Sequence, residues 1–341
     1  MGSDRRDFLR QLLAGGAAML PGRPWAARGA PATTAKARPG ALGEAPAAPG
    51  TSAVGVVRAA DHRTHRQAVR EAVRLAGGLS FVAHGQRVLL KPALNSDRRC
   101  PATTDPETVL ALAELVREAG GVPFVADRTM FARSTESAML RTGMMEAAAM
   151  LRMPCLPLDD TPAVARTHPL AEHWSAGQIR VYRAAAEADH VVSLCTPRTH
   201  RLAGFTMSLK NLVGVVHAPS RLPMHFPTGF RERLAEVGLA VPISLAVMDG
   251  REGFADGGPD EGSLVKPGFV AASRDPVALD AVGLAFLRLA GANEEIARGS
   301  VWGLPVIRRA AEVGLGVGSA DRIRLAGLGP DAEAAVRAQL A

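Results

Sequence analysis

Short apolar runs of strand length alternate with helical patterns along most of the chain, and this alternation limits the fold more than any other feature of the sequence. The runs at 54–57, 87–90, 122–126, 190–194, 243–248, 269–272 and 323–325 read as strands, and 67–76, 106–119, 134–149, 276–290 and 305–313 read as helices. Strands and helices in this order build βαβ units, so the expected fold is α/β with a largely parallel sheet, as one large domain or two closely joined lobes. Asp105-Pro106 and Asp275-Pro276 each set a capping carboxylate before a proline at the first helical position, and Gly120-Gly121 stops the first of these helices. Ligands of parallel sheets gather outside the carboxyl ends of the strands. Lys91, Asp127, Cys195, Asp249 and Ser273 follow or end predicted strands and describe one candidate rim.

The chain's ends have other tasks. Arg5-Arg6, ahead of a short apolar stretch broken by Gly15-Gly16, is similar to a twin-arginine export signal, so residues 1–30 are expected to be a signal peptide. That stretch is far shorter than the roughly 20 residues of a membrane span, so no stable span is expected after processing. The expected location is the periplasm or another exported compartment, with the twin-arginine translocation machinery as a partner. Residues 31–53, rich in alanine, proline and glycine, bury too little surface to offset the entropy of ordering and read as a tether. The main domain then spans 54–330, with 331–341 as a tail.

The formal net charge is +7. Residues 1–30 hold five arginines and two aspartates, so the processed chain keeps +4. With aromatic residues at 4% and no basic block interleaved with stacking side chains, a nucleic-acid partner is not expected, and a small anionic ligand fits better. Cys100, Cys155 and Cys195 are far apart and form no Cys-x-x-Cys pair, so a ferredoxin-type iron–sulfur cluster is not expected. One disulfide has three alternative pairings, among which the sequence does not choose.

Among the 40 basic residues only four are lysines, and two of these stand beside two of the chain's three asparagines. They are Lys91 with Asn95 and Lys210 with Asn211. Arginine serves almost everywhere else, so a compact ammonium at these places marks positions where a forked guanidinium is not equivalent.

An ordered series of motifs adds to this. It runs Leu90-Lys91-Pro92 with Asn95; Thr104-Asp105-Pro106; Ala188-Asp189-His190; Thr199-His200; Leu209-Lys210-Asn211-Leu212 with Gly214; Asp249-Gly250; Gly258-Pro259; and Asp275-Pro276-Val277-Ala278 with Asp280. From about residue 54 to 327 the chain thereby resembles the family catalogued as domain of unknown function 362. The resemblance implies little about activity. Some similar proteins carry an added iron–sulfur segment, for which this chain lacks the cysteines. It also departs from the family's pair of lysines before the histidine, with Arg198 as the one cation in Cys195-Thr196-Pro197-Arg198-Thr199-His200.

Three chemistries follow from these residues. Lys91 and Lys210 suit an anionic substrate or cofactor, with Asn95 and Asn211 as directional donors and Thr104 at a helix end that offers free N–H groups. A desolvated lysine beside another cation also loses its proton near neutral pH and acts as a base or nucleophile. His200, His217 and His225 lie in one irregular stretch and, with Asp249, offer ligands for a single metal ion; the cofactor is otherwise left open. Asp280 stands in an apolar helical run and needs a partner, for which a lysine is the natural candidate. The expectation is a metal- or cofactor-dependent enzyme for a small anionic substrate; the alternative is a non-catalytic binding or delivery protein for a metal or small anion.

Overall fold

Leu89 packs on one face of an eight-stranded sheet and Val88 and Leu90 on the other, the period of two that a strand imposes on its side chains. The structure, a computed structural model, describes residues 50–341 apart from 132, 226 and 227. The expected export signal and residues 31–49 of the expected tether lie outside the described residues.

The sheet's strands are β1 (Ser52–Arg58), β2 (Arg87–Lys91), β3 (Val122–Asp127), β4 (Cys155–Pro157), β5 (His190–Cys195), β6 (Leu245–Gly250), β7 (Phe269–Ser273) and β8 (Ile323–Ala326). Their spatial order is β8-β1-β7-β6-β5-β2-β3-β4. All seven runs predicted from the sequence are strands of this sheet. Every neighbouring pair is parallel except those of β7, which runs antiparallel to both β1 and β6. That reversal corrects one expectation. Ser273 pairs with Ala246, at the start of β6, so it lies at the edge opposite Lys91 and Asp127.

One face is covered by α1 (His65–Leu75), α2 (Pro106–Glu118), α3 (Thr135–Arg141) and α4 (Met144–Met150). The stretch 134–149, expected as one helix, is broken because Gly143 adopts φ 81°, a left-handed conformation open to glycine. Beyond the carboxyl end of β5 come α5 (Ser208–Asn211) and α6 (Ala218–His225). The opposite face carries α7 (Phe230–Ala240), α8 (Pro276–Leu289), α9 (Pro305–Glu312) and α10 (Pro330–Leu340). The last replaces the expected tail: Val336 and Leu340 are buried, and the Trp302 indole N–H donates to the Leu340 carbonyl at 2.9 Å.

Both predicted proline starts hold. Asp105 accepts from the Glu107 N–H and Asp275 from the Ala278 N–H, each at 2.9 Å. A four-stranded sheet of Ser263–Val265, Gly253–Asp256, Arg198–His200 and Gly204–Thr206 extends the rim. It carries Arg198 and His200 beyond the end of β5. No helix among the described residues is long and apolar enough to cross a membrane.

Candidate functional site

Lys91 ends β2 and Asp127 ends β3, and the parallel register that sets Leu90 opposite Val125 brings them to one edge. The Lys91 ammonium is 1% exposed and meets Asp127 Oδ1 at 2.8 Å. It also donates to Asn211 Oδ1 at 3.0 Å and to the Pro92 carbonyl at 2.6 Å. Its three donors are therefore used inside the protein. Burial pulls the Lys91 value down, and Asp127 pulls it back up.

This closed geometry corrects the expectation that Lys91 meets a ligand. Asn211 is likewise occupied: its amide donates to the Lys91 carbonyl, Ser193 Oγ and the Leu194 carbonyl. Thr104 Oγ1 donates to the Leu194 carbonyl and accepts from the Ala93 N–H, both at 2.8 Å. These residues tie β2, β5 and α5 together beneath the site.

Gly214 makes the pair's close packing feasible. A Cβ there would stand 1.9 Å from Asp127 Oδ1 and 2.6 Å from Lys91 Nζ. Gly214→Ala is expected to destabilise the protein by about 3 kcal/mol, the upper range for overpacking, as read by urea unfolding. A loss below about 0.5 kcal/mol would show that the pair yields freely.

Asp280 has a partner, but it is not a lysine. Its oxygens accept from the Ser208 N–H at 2.8 Å, Ser208 Oγ at 2.6 Å and the Leu209 N–H at 3.0 Å. Short α5 thus starts on a buried carboxylate that satisfies its first N–H groups, an arrangement the helix end favours. Burial pushes Asp280 up to about 7 despite these hydrogen bonds. The result is a fixed seat for Lys210, two residues further on.

Lys210 differs from Lys91. It is half-buried, and its amine has no hydrogen-bond or ion-pair partner among the described residues. Burial lowers it to about 7, and the charges of Arg198, Arg221 and Lys91 push the same way, against Asp260. Arg198 is 1% exposed and donates through Nη1 to Asn95 Oδ1 and the Pro259 carbonyl, each at 3.0 Å, and to the Ala102 carbonyl. Arg221 is 3% exposed and donates to the Val216, Thr129, Arg128 and Gly214 carbonyls. Neither arginine has a carboxylate partner among the described residues. Burial lowers both to about 10, so both stay charged at neutral pH.

Three buried polar atoms gather around Arg198 with no hydrogen-bond partner among the described residues: Asn95 Nδ2, Arg198 Nε and Asp260 Oδ1. Two histidines join them. His225 Nδ1 lies 2.6 Å from the Arg221 carbonyl, which only accepts, so Nδ1 carries the proton and Nε2 keeps its lone pair. His200 Nδ1 accepts from the Leu202 and Ala203 N–H groups, which leaves the proton on Nε2. Burial, with Lys210 nearby, holds His200 well below its usual value, and burial lowers His225 to about 4. Both are neutral at pH 7.

The expected metal set is not assembled. His217 packs edge-on against Tyr182, with ring centroids 5.6 Å apart, beside Arg180, Arg128 and Arg221. Asp249 is fully buried and engaged by Arg251, with His65 Nε2 3.4 Å away. Among the described residues no three or more His, Cys, Asp or Glu side chains come together in a way that would hold a metal ion. The Nδ1 atoms of His200 and His225 are committed to backbone, and their rings stand beside cations. Cys100, Cys155 and Cys195 are free thiols.

A cavity of about 750 Å³ lies elsewhere on the rim, lined in part by Cys100, Asp105, Leu110, Met150 and Arg251. Its size suits a ligand. Its charges, however, are largely paired internally: Arg251 with Asp105 at 2.5 Å and with Asp249 at 2.7 Å, and Lys266 with Glu252 at 3.3 Å. The uncompensated groups are at Lys210, which is therefore the better candidate.

Of the residues singled out in the sequence, the structure gathers Asn95, Lys210, His200 and His225 at the site and sets Lys91, Asn211, Thr104 and Asp280 beneath it. Arg221 was not foreseen, because one arginine among 36 carries no signal. Arg198 stood out only as a departure from the lysine of similar proteins. Asp260 was hidden in a glycine-rich stretch with the look of a surface turn.

The thylakoid-associated protein sll1697 of Synechocystis sp. is 34% identical to this chain over 217 residues, which are 61% of the chain and 65% of that protein. The chain thus spans just under two thirds of the length of this curated relative. The lactate racemase apoprotein of Thermoanaerobacterium thermosaccharolyticum superposes with a TM-score of 0.47 at 14% identity, covering 70% of this chain and 57% of that one. The sequence model described as Domain of unknown function (DUF362) matches residues 88–285, more than half of the chain and the span from Val88 in β2 through Asp280. The protein belongs to the DUF362 family.

Proposed function

We propose that this protein is an enzyme for a small anionic substrate, which binds over Arg198 and Asn95 while Lys210 exchanges a proton with it. The supporting observation is positive charge that no ion pair among the described residues meets. Arg198 and Arg221 are buried with no carboxylate at ion-pair distance among the described residues, and Lys210 lies near them with its amine unpartnered among the described residues. Burying cations is costly unless an opposite charge meets them, and an incoming anion would supply it. Arg198 Nε and Asn95 Nδ2 would then donate to the anion, satisfying two otherwise unmatched groups.

A lysine lowered to about 7 has both protonation states populated at neutral pH, the condition for a general acid or base. His200 Nε2–H is available as a further donor and His225 Nε2 as an acceptor. A metal at the histidines is not needed for this reading. Calorimetric titration with acetate and with inorganic phosphate tests it. One saturable site in the wild type, weakened at least tenfold in Lys210→Met, is the expected result; saturable uptake of neither anion, nor of a small carboxylate that carries a hydroxyl or an ammonium, overturns the reading.

The export route belongs to the same proposal. Replacing Arg5 and Arg6 with lysine is expected to keep the precursor in the cytoplasm, because the twin-arginine receptor reads that pair. Fractionation that finds normal export of the double variant would remove this part of the proposal.

A further inference from the structure

We infer that the ligand of this site carries a hydrogen-bond donor, a hydroxyl or an ammonium, next to its anionic group, and that Asp260 accepts from it. The inference rests on the anion site proposed above and adds the ligand's second group.

Asp260 sits in the stretch between the strands Gly253–Asp256 and Ser263–Val265, which is held at several points. Arg198 Nη1 donates to the Pro259 carbonyl at 3.0 Å, and the Gly258 N–H donates to Thr199 Oγ1 at 3.2 Å. Asn293 Nδ2 donates to Asp256 Oδ1 at 2.9 Å, and Arg98 pairs with Glu261 at 2.9 Å. Gly262 has φ 151°, and a Cβ there would stand 2.0 Å from the Asp256 carbonyl, so the turn requires glycine. The Asp260 side chain is thus placed by its loop.

Its Oδ1 is nevertheless buried with no hydrogen-bond partner among the described residues. The carboxylate is near enough to raise both Arg198 and Lys210, yet bonds to neither. Buried acceptors are normally matched, and an unmatched one at a site calls for a ligand group or a water. The other unmatched atoms here, Asn95 Nδ2 and Arg198 Nε, are donors. An anion alone would satisfy the donors and face the Asp260 carboxylate with like charge. A molecule with an oxyanion toward Arg198 and a donor toward Asp260 satisfies all three.

Acetate, glycolate and glycine form a matched set with no donor, a hydroxyl and an ammonium beside the carboxylate. Their affinities for the full-length protein and for Asp260→Ala are to be measured by calorimetry at pH 7. In the wild type, glycolate or glycine is expected to bind at least tenfold more tightly than acetate. In Asp260→Ala this advantage should vanish while acetate binds as well as before or better, since a like charge has gone. Equal affinities for the three probes in the wild type overturn the inference but leave the anion site standing. A preference that survives in Asp260→Ala overturns the role of Asp260. Saturable binding of none of the three, nor of phosphate, removes the anion site itself. Should Asp260→Ala fail to fold, the wild-type comparison decides whether the donor is read, and Asp260→Asn, which keeps one acceptor oxygen, tests the position.

Discussion

Lys91→Met is expected to lower the stability of this protein by about 3–5 kcal/mol, the usual cost of removing one partner from a buried ion pair. The physical cause lies in what remains behind. Asp127 is 1% exposed and would keep only the Arg128 N–H at 2.8 Å, while Asn211 Oδ1 and the Pro92 carbonyl would lose their donor. Burial already pushes Asp127 above the usual carboxylate range, and without Lys91 only the Arg128 N–H and the more distant charge of Arg221 oppose that push. Adding Asp127→Asn should recover a large part of the loss, because the uncompensated charge is gone. Lys91→Arg should not rescue it, since Gly214 packs directly against the ammonium and leaves no room for a fork. Urea unfolding of the three variants measures this. A loss below about 1 kcal/mol for Lys91→Met would mean that the pair does not hold the rim together.

Lys210→Met should behave in the opposite way. Its amine has no partner among the described residues, so no bond is lost, and stability should stay level or rise. The sign follows from linkage. The folded-state value, about 7, lies below the ordinary lysine value, so between the two the unfolded chain holds a proton that the folded chain lacks. Lys210 therefore costs stability as pH falls from the ordinary lysine range toward 7, and below 7 that cost is constant. Methionine removes it. Anion binding should nevertheless weaken at least tenfold, because a charge-assisted contact is gone.

Direct observation of the amine is practical because the chain has only four lysines. Selective labelling of lysine should give one side-chain signal that titrates near pH 7, is absent in Lys210→Met, and moves to higher pH when an anion binds. If every lysine signal titrates in the ordinary lysine range, proton exchange at Lys210 is excluded. If Lys210→Met unfolds as readily as Lys91→Met, the lysine is structural.

The contrast between the two lysines marks the limit of what composition tells. Their rarity beside asparagine singled out both and implied that they act together. Lys91 bonds Asn211, the neighbour of Lys210, yet its own amine is closed inside the protein and does not meet a ligand with it. Which of them is closed and which is open depended on Asp127, whose position beside Lys91 is set by the β2–β3 register and the close approach of Gly214. Neither is a local property of the chain. The histidines make the same point: closeness in sequence suggested one ligand set, yet His217 packs against Tyr182 while His200 and His225 lie near Lys210 with their Nδ1 atoms on backbone groups.

The sequence by itself determined the elements that rest on local rules. Apolar runs of strand length, proline starts capped by Asp105 and Asp275, and motif order specified the parallel α/β sheet and the family. Local backbone preference and burial periodicity act over a few residues, so a single strand of text contains them. Only the tertiary structure decided that β7 runs antiparallel and carries Ser273 away from the rim, that Asp280 caps α5 instead of pairing with a lysine, and that the charges of Arg198, Arg221 and Asp260 act on Lys210. Those outcomes depend on groups from separate elements meeting in a low-dielectric interior, as Asp280 meets Ser208 and Arg198 meets the Pro259 carbonyl, where each charge is fixed by what stands opposite it.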